Sequence, residues 1–377
     1  MWLLLCVVLS SSSSSVVLGA ECGKVVTVGT ASTQPVPTRA GPLTVVAYGS
    51  RASDCEDRFL FFDVGHGSSR RWIESGRTKF QKIEGIFLSN IHSDKVIDLG
   101  PVLYYSWLAG FDPDTYDGVD VYAPAGNTAD YARSALDGLA VDIESRPYPT
   151  EPVVRVHDYA ASFSEPAVLL ETEEVTVTAL RVDHFDVAVS WRVDIRDVAS
   201  VVVSADISND GDLGPLLFRL LEQTPNATMT PKVLVHEIIH DVFSNGSETH
   251  SNAATVVDRA LDFGADLLVL SHMLPSPCFA ELGAIPIAVP FLSQDDFAVI
   301  LEDAGWNGED LVVADDMTTI HLPDLQVDLT CTSPAECKDT PDDYVPLRTK
   351  TATSHAYSPE CRRRKIHAGN NNNNNKE

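Results

Sequence analysis

A series of short apolar runs in this chain end on a side chain able to bind a metal ion or move a proton. FLFFD stops at Asp63, IFLSNIH at His92 with Asp94 just beyond, and TALRVDH at His184. SVVVSAD stops at Asp206, VLVHE at His236 and Glu237, and LLVLSH at His272. Imidazole and carboxylate are the ligand types that zinc takes, and a catalytic zinc site keeps one position open for water. Taken singly, a His or Asp at a strand end is most often a turn, a cap or a satisfied core group. The recurrence is what points to a shared metal site. Other chemistries lack support: there is no GxSxG elbow for a serine nucleophile, and no CxxC pair for thiolate zinc. GHGSS around His66 is too short for a phosphate loop and lacks its Lys. His66, His240 and His321 read as structural.

Positioning such residues requires strands. KVVTVG, LTVVAYG, RFLFFDVG, IEGIFLS, VDVYAP, EVTVTALRVD, AVSWRVD, ASVVVSAD, KVLVHE and DLLVLSH are rich in β-branched and aromatic residues and read as strands. Apolar periodicity predicts helices over Val96–Ala109, Thr128–Leu139, Asp212–Leu221, Ser251–Phe263 and Gln294–Ala304. Strands alternating with helices indicate an α/β protein with buried sheets, whose catalytic groups gather beyond the carboxyl ends of the strands. The Pro-rich stretch Glu144–Ser164 reads as a connection. Beyond Leu325 the chain turns polar and Pro-rich and ends in six asparagines and Lys-Glu, a composition that predicts a disordered tail over 326–377. The organisation expected is a leader over 1–20, one domain over 22–325, and the tail.

The opening MWLLLCVVLSSSSSSVVLGA reads as a secretory signal, with an apolar core from Leu3 to Leu9 followed by small residues, although its first residues lack Lys and Arg. Six serines interrupt it well short of the roughly 20 apolar residues a membrane helix needs, and no later segment is expected to span a membrane. Apart from Cys6, the cysteines are Cys22, Cys55, Cys278, Cys331, Cys337 and Cys361, an even set that suits disulfides in an exported chain without choosing among about 15 pairings. Asn226-Ala-Thr and Asn245-Gly-Ser are glycosylation sequons in that setting. The net charge of −27, from 54 acids and 27 bases, opposes binding to phosphate backbones. Nucleic acid is therefore not expected as a partner.

At these residues the chain resembles the metallo-β-lactamase fold superfamily, in its ribonuclease Z-like branch, which also holds arylsulfatase-like and phosphodiesterase-like hydrolases. The resemblance runs from about Val25 to Leu322. It rests on VTVGTASTQPVPTRAG, FFDVGHGSSRR, SNIHSDKVIDLGPVLYYSWLAG, VDHFDVAVSWRVD, VVVSAD, VLVHEIIHD, ETHSNAATVVDRA and VLSHMLPSP. It implies an αββα four-layer sandwich with two zinc ions at one sheet edge. The family's ligand loop reads His-x-His-x-Asp-His, whereas here it reads Asn90-Ile-His92-Ser-Asp94-Lys95. By resemblance the first metal falls to His92, His184 and Asp206, with the Asn90 amide oxygen as a fourth donor. The second would have Asp94, Asp206 and His272, with Lys95 in the remaining place. An ammonium has no lone pair to give, and near two carboxylates it favours their ionised forms.

The expectation is a single metal, zinc or else manganese or iron. Asp94 would orient or deprotonate the attacking water, and Lys95 would fill the vacated position. His250 in ETHSN matches a proton donor at the leaving group. His236 and Glu237 would stand behind the ligands, with Glu237 accepting a ligand imidazole's spare N–H. The implied activity is hydrolysis of a small phosphodiester or sulfate ester by an exported protein. The alternatives are a binding protein on an impaired hydrolase fold and, behind it, tRNA 3′ processing, which the acidic charge and the absence of a glycine-rich arm oppose.

Overall fold

The structure, a computed structural model, describes residues 19–33, 39–109, 116–148, 150–209, 231–239, 249–274, 294–306 and 311–328. Two sheets face each other. The first runs, in spatial order, Gln326–Asp328 (β15), Thr318–Leu322 (β14), Cys22–Gly29 (β1), Leu43–Gly49 (β2), Arg58–Phe62 (β3), Ile83–Phe87 (β4), Val119–Pro124 (β5) and Val154–Tyr159 (β6). The second runs Leu311–Val313 (β13), Leu267–Leu274 (β12), Lys232–Ile239 (β11), Ala199–Val203 (β10), Ala188–Ile195 (β9), Val175–Val182 (β8) and Ala167–Glu171 (β7).

Successive side chains of a strand point to opposite faces, and here both faces are buried. Val25, Val46, Phe62 and Val201 enter the core between the sheets with Trp191, Val233 and Val269. Their chain neighbours Val26, Val45 and Phe61 pack outward against Trp72 of helix Ser68–Glu74 (α1), Leu103 of helix Leu99–Ala109 and Ala129 of helix Asn127–Ser134. Val202, Leu234 and Leu268 pack outward on the other side, against Val256 and Phe263 of helix Ala253–Phe263 and Phe297 of helix Gln294–Asp303. Hence the strands read as unbroken apolar runs rather than alternating ones, and the layers are αββα, as expected. The remaining helices are Ser93–Val96 and Ala140–Ser145; in chain order the seven described α-helices are α1 to α7.

All ten expected strands form, together with β6, β7, β13, β14 and β15. The stretch read as a connection contains β6, an edge strand whose residues are half-buried or exposed; exposure on one face removes the apolar signal. Tyr122 of β5 stacks on His157 of β6 with ring centroids 4.8 Å apart and on Phe87 at 4.7 Å, so cross-strand ring pairs help hold that edge. The predicted helix over 128–139 breaks into α4 and a separate 3-10 turn at Asp137–Leu139. The boundary set at Leu325 falls short of β15, which pairs with β14 through Ile320 and Val327.

A disulfide joins Cys22 to Cys55. Residues 1–18 of the leader, with Cys6, as well as Cys278, Cys331, Cys337, Cys361, both sequons, His240, the predicted helix 212–221 and the tail beyond 328 lie outside the described residues. Among the described residues no helix is long and apolar enough to cross a membrane.

Candidate metal centre

The residues expected to act together arrive from both sheets. From the first come Asp63, just past β3, and the loop after β4. Asp63 is buried with φ at 59°, and its two oxygens accept from Ser89 N (2.8 Å) and Ser89 Oγ (2.9 Å), which fixes where the loop begins. Val64 N donates to Lys95 O at 2.7 Å. A Cβ on Gly65 would stand 2.4 Å from Asp94 O, so only glycine lets the two backbones meet there. From the second sheet come Asp206 beyond β10, Glu237 on β11 and His272 on β12. These strands run parallel and deliver the three to one edge. The β11–β12 register shifts between His236 and Ile238, which re-aims the side chains at that point. Ala205 (φ 52°) and His272 (φ 46°) occupy the left-handed region, a costly conformation for non-glycine residues that clusters at functional sites.

Two groupings result. In the first, His184 Nδ1 donates to Thr249 O at 2.9 Å, leaving the Nε2 lone pair free to face inward. Nε2 lies 3.2 Å from His92 Nδ1 and 3.4 Å from Asp206 Oδ2, and His92 Nδ1 lies 3.9 Å from the same oxygen. Zinc–nitrogen bonds of about 2.0–2.1 Å put tetrahedral ligand atoms roughly 3.3 Å apart, so this donor set fits one ion. A backbone carbonyl on the far nitrogen is the usual partner of a ligating histidine. Burial holds the His184 imidazole below its ordinary pKa despite the pull of Asp206, which keeps it in the neutral, donating form.

The second grouping fits a cation poorly. Lys95 is fully buried, its ammonium 2.7 Å from Asp206 Oδ1 and 3.4 Å from Asp94 Oδ2. His272 Nε2 lies 3.0 Å from Asp94 Oδ2, and its Nδ1 lies 3.4 Å from Asp206 Oδ1 and 3.5 Å from Glu237 Oε2. Burial and Lys95 would lower the His272 pKa, yet the carboxylates on both nitrogens raise it to about 9. Asp206, Glu237, His250 and His272 do bring ligand atoms within 4.8 Å of one another. But the Lys95 ammonium already lies against Asp206 and Asp94, and His250 against Glu237. His272, expected as a ligand, stands between carboxylates, with Asp94 on Nε2 and Asp206 and Glu237 on Nδ1.

Asn90 and Asp94 also take specific partners. The Asn90 amide oxygen accepts from His92 N (2.9 Å), while its Nδ2 donates to Asp206 Oδ2 (3.1 Å). Asn90 therefore bridges the His92 backbone and Asp206, with one lone pair of its amide oxygen taken by His92 N and a second remaining. For Asp94, burial alone would raise the pKa, but Lys95 and the His272 hydrogen bond outweigh it and hold the carboxyl well below the usual range. A carboxylate so stabilised is a weak proton acceptor, and the geometry pairs Asp94 with Lys95 and His272.

Glu237 stands closer to the chemistry than expected. Its Oε1 accepts from Ile207 N (2.8 Å) and its Oε2 meets His250 Nδ1 at 2.5 Å. Burial opposes ionisation of both, yet each stabilises the other: Glu237 falls to about 2 and His250 rises above its ordinary value. His236 lies behind, its Nδ1 donating to Glu237 O at 2.6 Å, and burial and Arg259 push it down to about 4. Arg259 of α6 gives no sign of its role in the sequence, where a basic residue on a helix reads as solvated. It is buried and donates to Ser251 Oγ (2.5 Å) and Ser208 O (2.7 Å), tying the segment after Asp206 to the segment after His250. Two hollows elsewhere, of about 510 and 520 Å³, contain none of these residues; Lys24 and Arg77 in the first are spent in ion pairs with Asp54 and Glu56.

No family model matches the chain. Ribonuclease Z of Mycobacterium bovis (strain BCG / Pasteur 1173P2) is 30% identical over 261 residues, covering 66% of this chain and 85% of that protein. Ribonuclease Z of Mycolicibacterium paratuberculosis is 27% identical over 271 residues, covering 67% and 86%. Among solved structures, the metallo-β-lactamase fold protein YhfI from Bacillus subtilis superposes with a TM-score of 0.55 at 18% identity, over 80% of this chain and all of that one. The short form of human tRNase Z gives 0.55 at 19% identity, over 79% and 98%.

Proposed function

Because the chain belongs to the ribonuclease Z-like branch of the metallo-β-lactamase fold superfamily, we propose that it is a metal-dependent hydrolase of phosphodiesters working with one ion, zinc or else manganese or iron. The observation that carries this reading is the convergence of His92, His184 and Asp206 with the His184 tautomer set by Thr249. An ion held there supplies Lewis acidity and a more acidic water. The chain's own residues do the rest. Asn90 and Lys95 hold Asp206 in place from its two oxygens. Lys95, His272 and Asp94 form a closed charge network where relatives of the family pattern would keep a second ion. His250, held protonated by Glu237, presents Nε2 as the nitrogen that gives a proton to the leaving oxygen.

The substrate class divides in two. The net charge of −27 favours a small phosphodiester; the relatives named ribonuclease Z favour precursor tRNA and count against the expectation that nucleic acid is not a partner. Export of the protein and a sulfate-ester substrate remain proposals of the sequence alone. The buried Lys95–Asp206 pair also supports a second reading, a binding protein whose hydrolytic site has closed. Purified full-length chain, supplied in turn with zinc, manganese and iron, should be assayed on a diaryl phosphodiester, an aryl sulfate and precursor tRNA at low and raised salt. Phosphodiester or tRNA cleavage that Asp206→Asn abolishes supports the hydrolase. Absence of turnover on every ester with every metal favours the binding protein.

A further inference from the structure

Beside the candidate centre stands an aromatic side chain that the proton and metal chemistry does not use. Phe185 follows His184 in the turn between β8 and β9 and is 74% exposed. A lone exposed apolar residue needs no explanation in general; Val141, on α5, is more exposed still. Phe185 differs in what it touches. Its ring centroid lies 5.3 Å from that of His184 and 5.9 Å from that of His92, at interplanar angles of 62° and 57°. His184 is wholly buried while about a third of the His92 side chain is exposed, so His92 and Phe185 together form the solvent side of the grouping.

The ring is also held in place. Val182 pairs with Ala188 at the base of the turn, and Asp186 Oδ2 accepts from Asn127 Nδ2 of α4 at 3.2 Å. A short tethered turn keeps the ring outward, at the continuing cost of exposing apolar surface. A planar group laid on that ring would recover the cost and gain the offset or edge-on attraction of aromatic pairs.

We propose that Phe185 is a specificity-determining residue, an aromatic shelf that takes a planar aromatic group carried next to the phosphoester of the substrate. The proposal rests on the reading of this site as a phosphodiester site and names what the ester bears. The shared chemistry is a flat π-face, which an aryl ester or a nucleobase supplies equally.

Binding tests it without turnover. Dissociation constants of phenylphosphonate and methylphosphonate, and of adenosine 5′-monophosphate and ribose 5-phosphate, are measured by calorimetry on the zinc-supplemented full chain. The aromatic member of at least one pair should bind about 3- to 10-fold tighter, the range of aromatic pair energies. Phe185→Ala should erase that preference while leaving the non-aromatic member unchanged, and Phe185→Trp should keep it. Preference in the phosphonate pair alone identifies an aryl group, and in the nucleotide pair a nucleobase. No preference in either pair, or one that survives in Phe185→Ala, overturns the assignment. Aromatic preference without cleavage of any ester removes the hydrolase reading and keeps the shelf; cleavage without aromatic preference removes the shelf alone.

Discussion

The ammonium of Lys95 and the carboxylate of Asp206 lie 2.7 Å apart with both side chains 1% exposed. One is, with Asn90, a departure from the family's ligand loop and the other is the carboxylate common to both metal positions of that pattern. Burial would lower the Lys95 pKa, but Asp206, Asp94 and Asp63 raise it well above the ordinary value, so the cation is permanent. Breaking a buried ion pair from one side leaves an uncompensated charge and costs about 3–5 kcal/mol. Lys95→Met is therefore expected to destabilise the protein by that order in urea unfolding; a loss below about 1 kcal/mol would show that the pair is not formed.

The His250–Glu237 contact sets a pH dependence. His250 is raised above 6.5, so the protonated donor persists past that pH, and activity should fall as pH rises through the raised value. Glu237→Gln removes the stabilising carboxylate, and the alkaline limb of the rate profile should move to lower pH. Stability follows the same signs. The depressed Glu237 contributes stability above 4.5 that is lost toward about pH 2, and the raised His250 contributes stability below 6.5 that is lost as pH rises through its folded value. The melting difference between wild type and Glu237→Gln should be greatest between pH 4.5 and 6.5; a difference independent of pH would rule out the ionised pair.

Gly65 is the point where the ligand loop meets the end of β3. A methyl there would lie 2.4 Å from Asp94 O and 2.5 Å from Gly41 C, both backbone atoms unable to swing aside. Gly65→Ala should cost at least the roughly 1–3 kcal/mol of an overpacked site and should weaken metal affinity by shifting His92 and Asp94. Retained affinity, measured by competition with a coloured chelator, would mean that the loop adapts.

The Cys22–Cys55 disulfide closes a loop of 33 residues in sequence separation. On the chain-entropy view its removal costs about 3–4 kcal/mol, and a reductant should lower the urea midpoint accordingly without changing metal content.

The fold was legible where both faces of a strand are buried, because Val201, Val202 and Val203 alternate between two apolar cores and leave an unbroken run. It was not legible in β6, whose Arg155, His157 and Asp158 face outward or pair with charges such as Asp120. His92, His184 and Asp206 could be singled out because each ends or follows an apolar run. Orientation could not. Whether Asn90 turns its oxygen or its nitrogen inward is decided by one backbone N–H, that of His92. Arg259 and the anchoring of Ser89 by Asp63 escaped for a related reason: each depends on a contact between segments far apart in sequence.

The central claim is one ion at His92, His184 and Asp206, with Lys95 excluding a second. Elemental analysis of purified protein dialysed against excess zinc tests it most directly. The account predicts about one zinc per chain, lost in His184→Ala and increased toward two in Lys95→His. Two zincs in the wild type, or none, would contradict it.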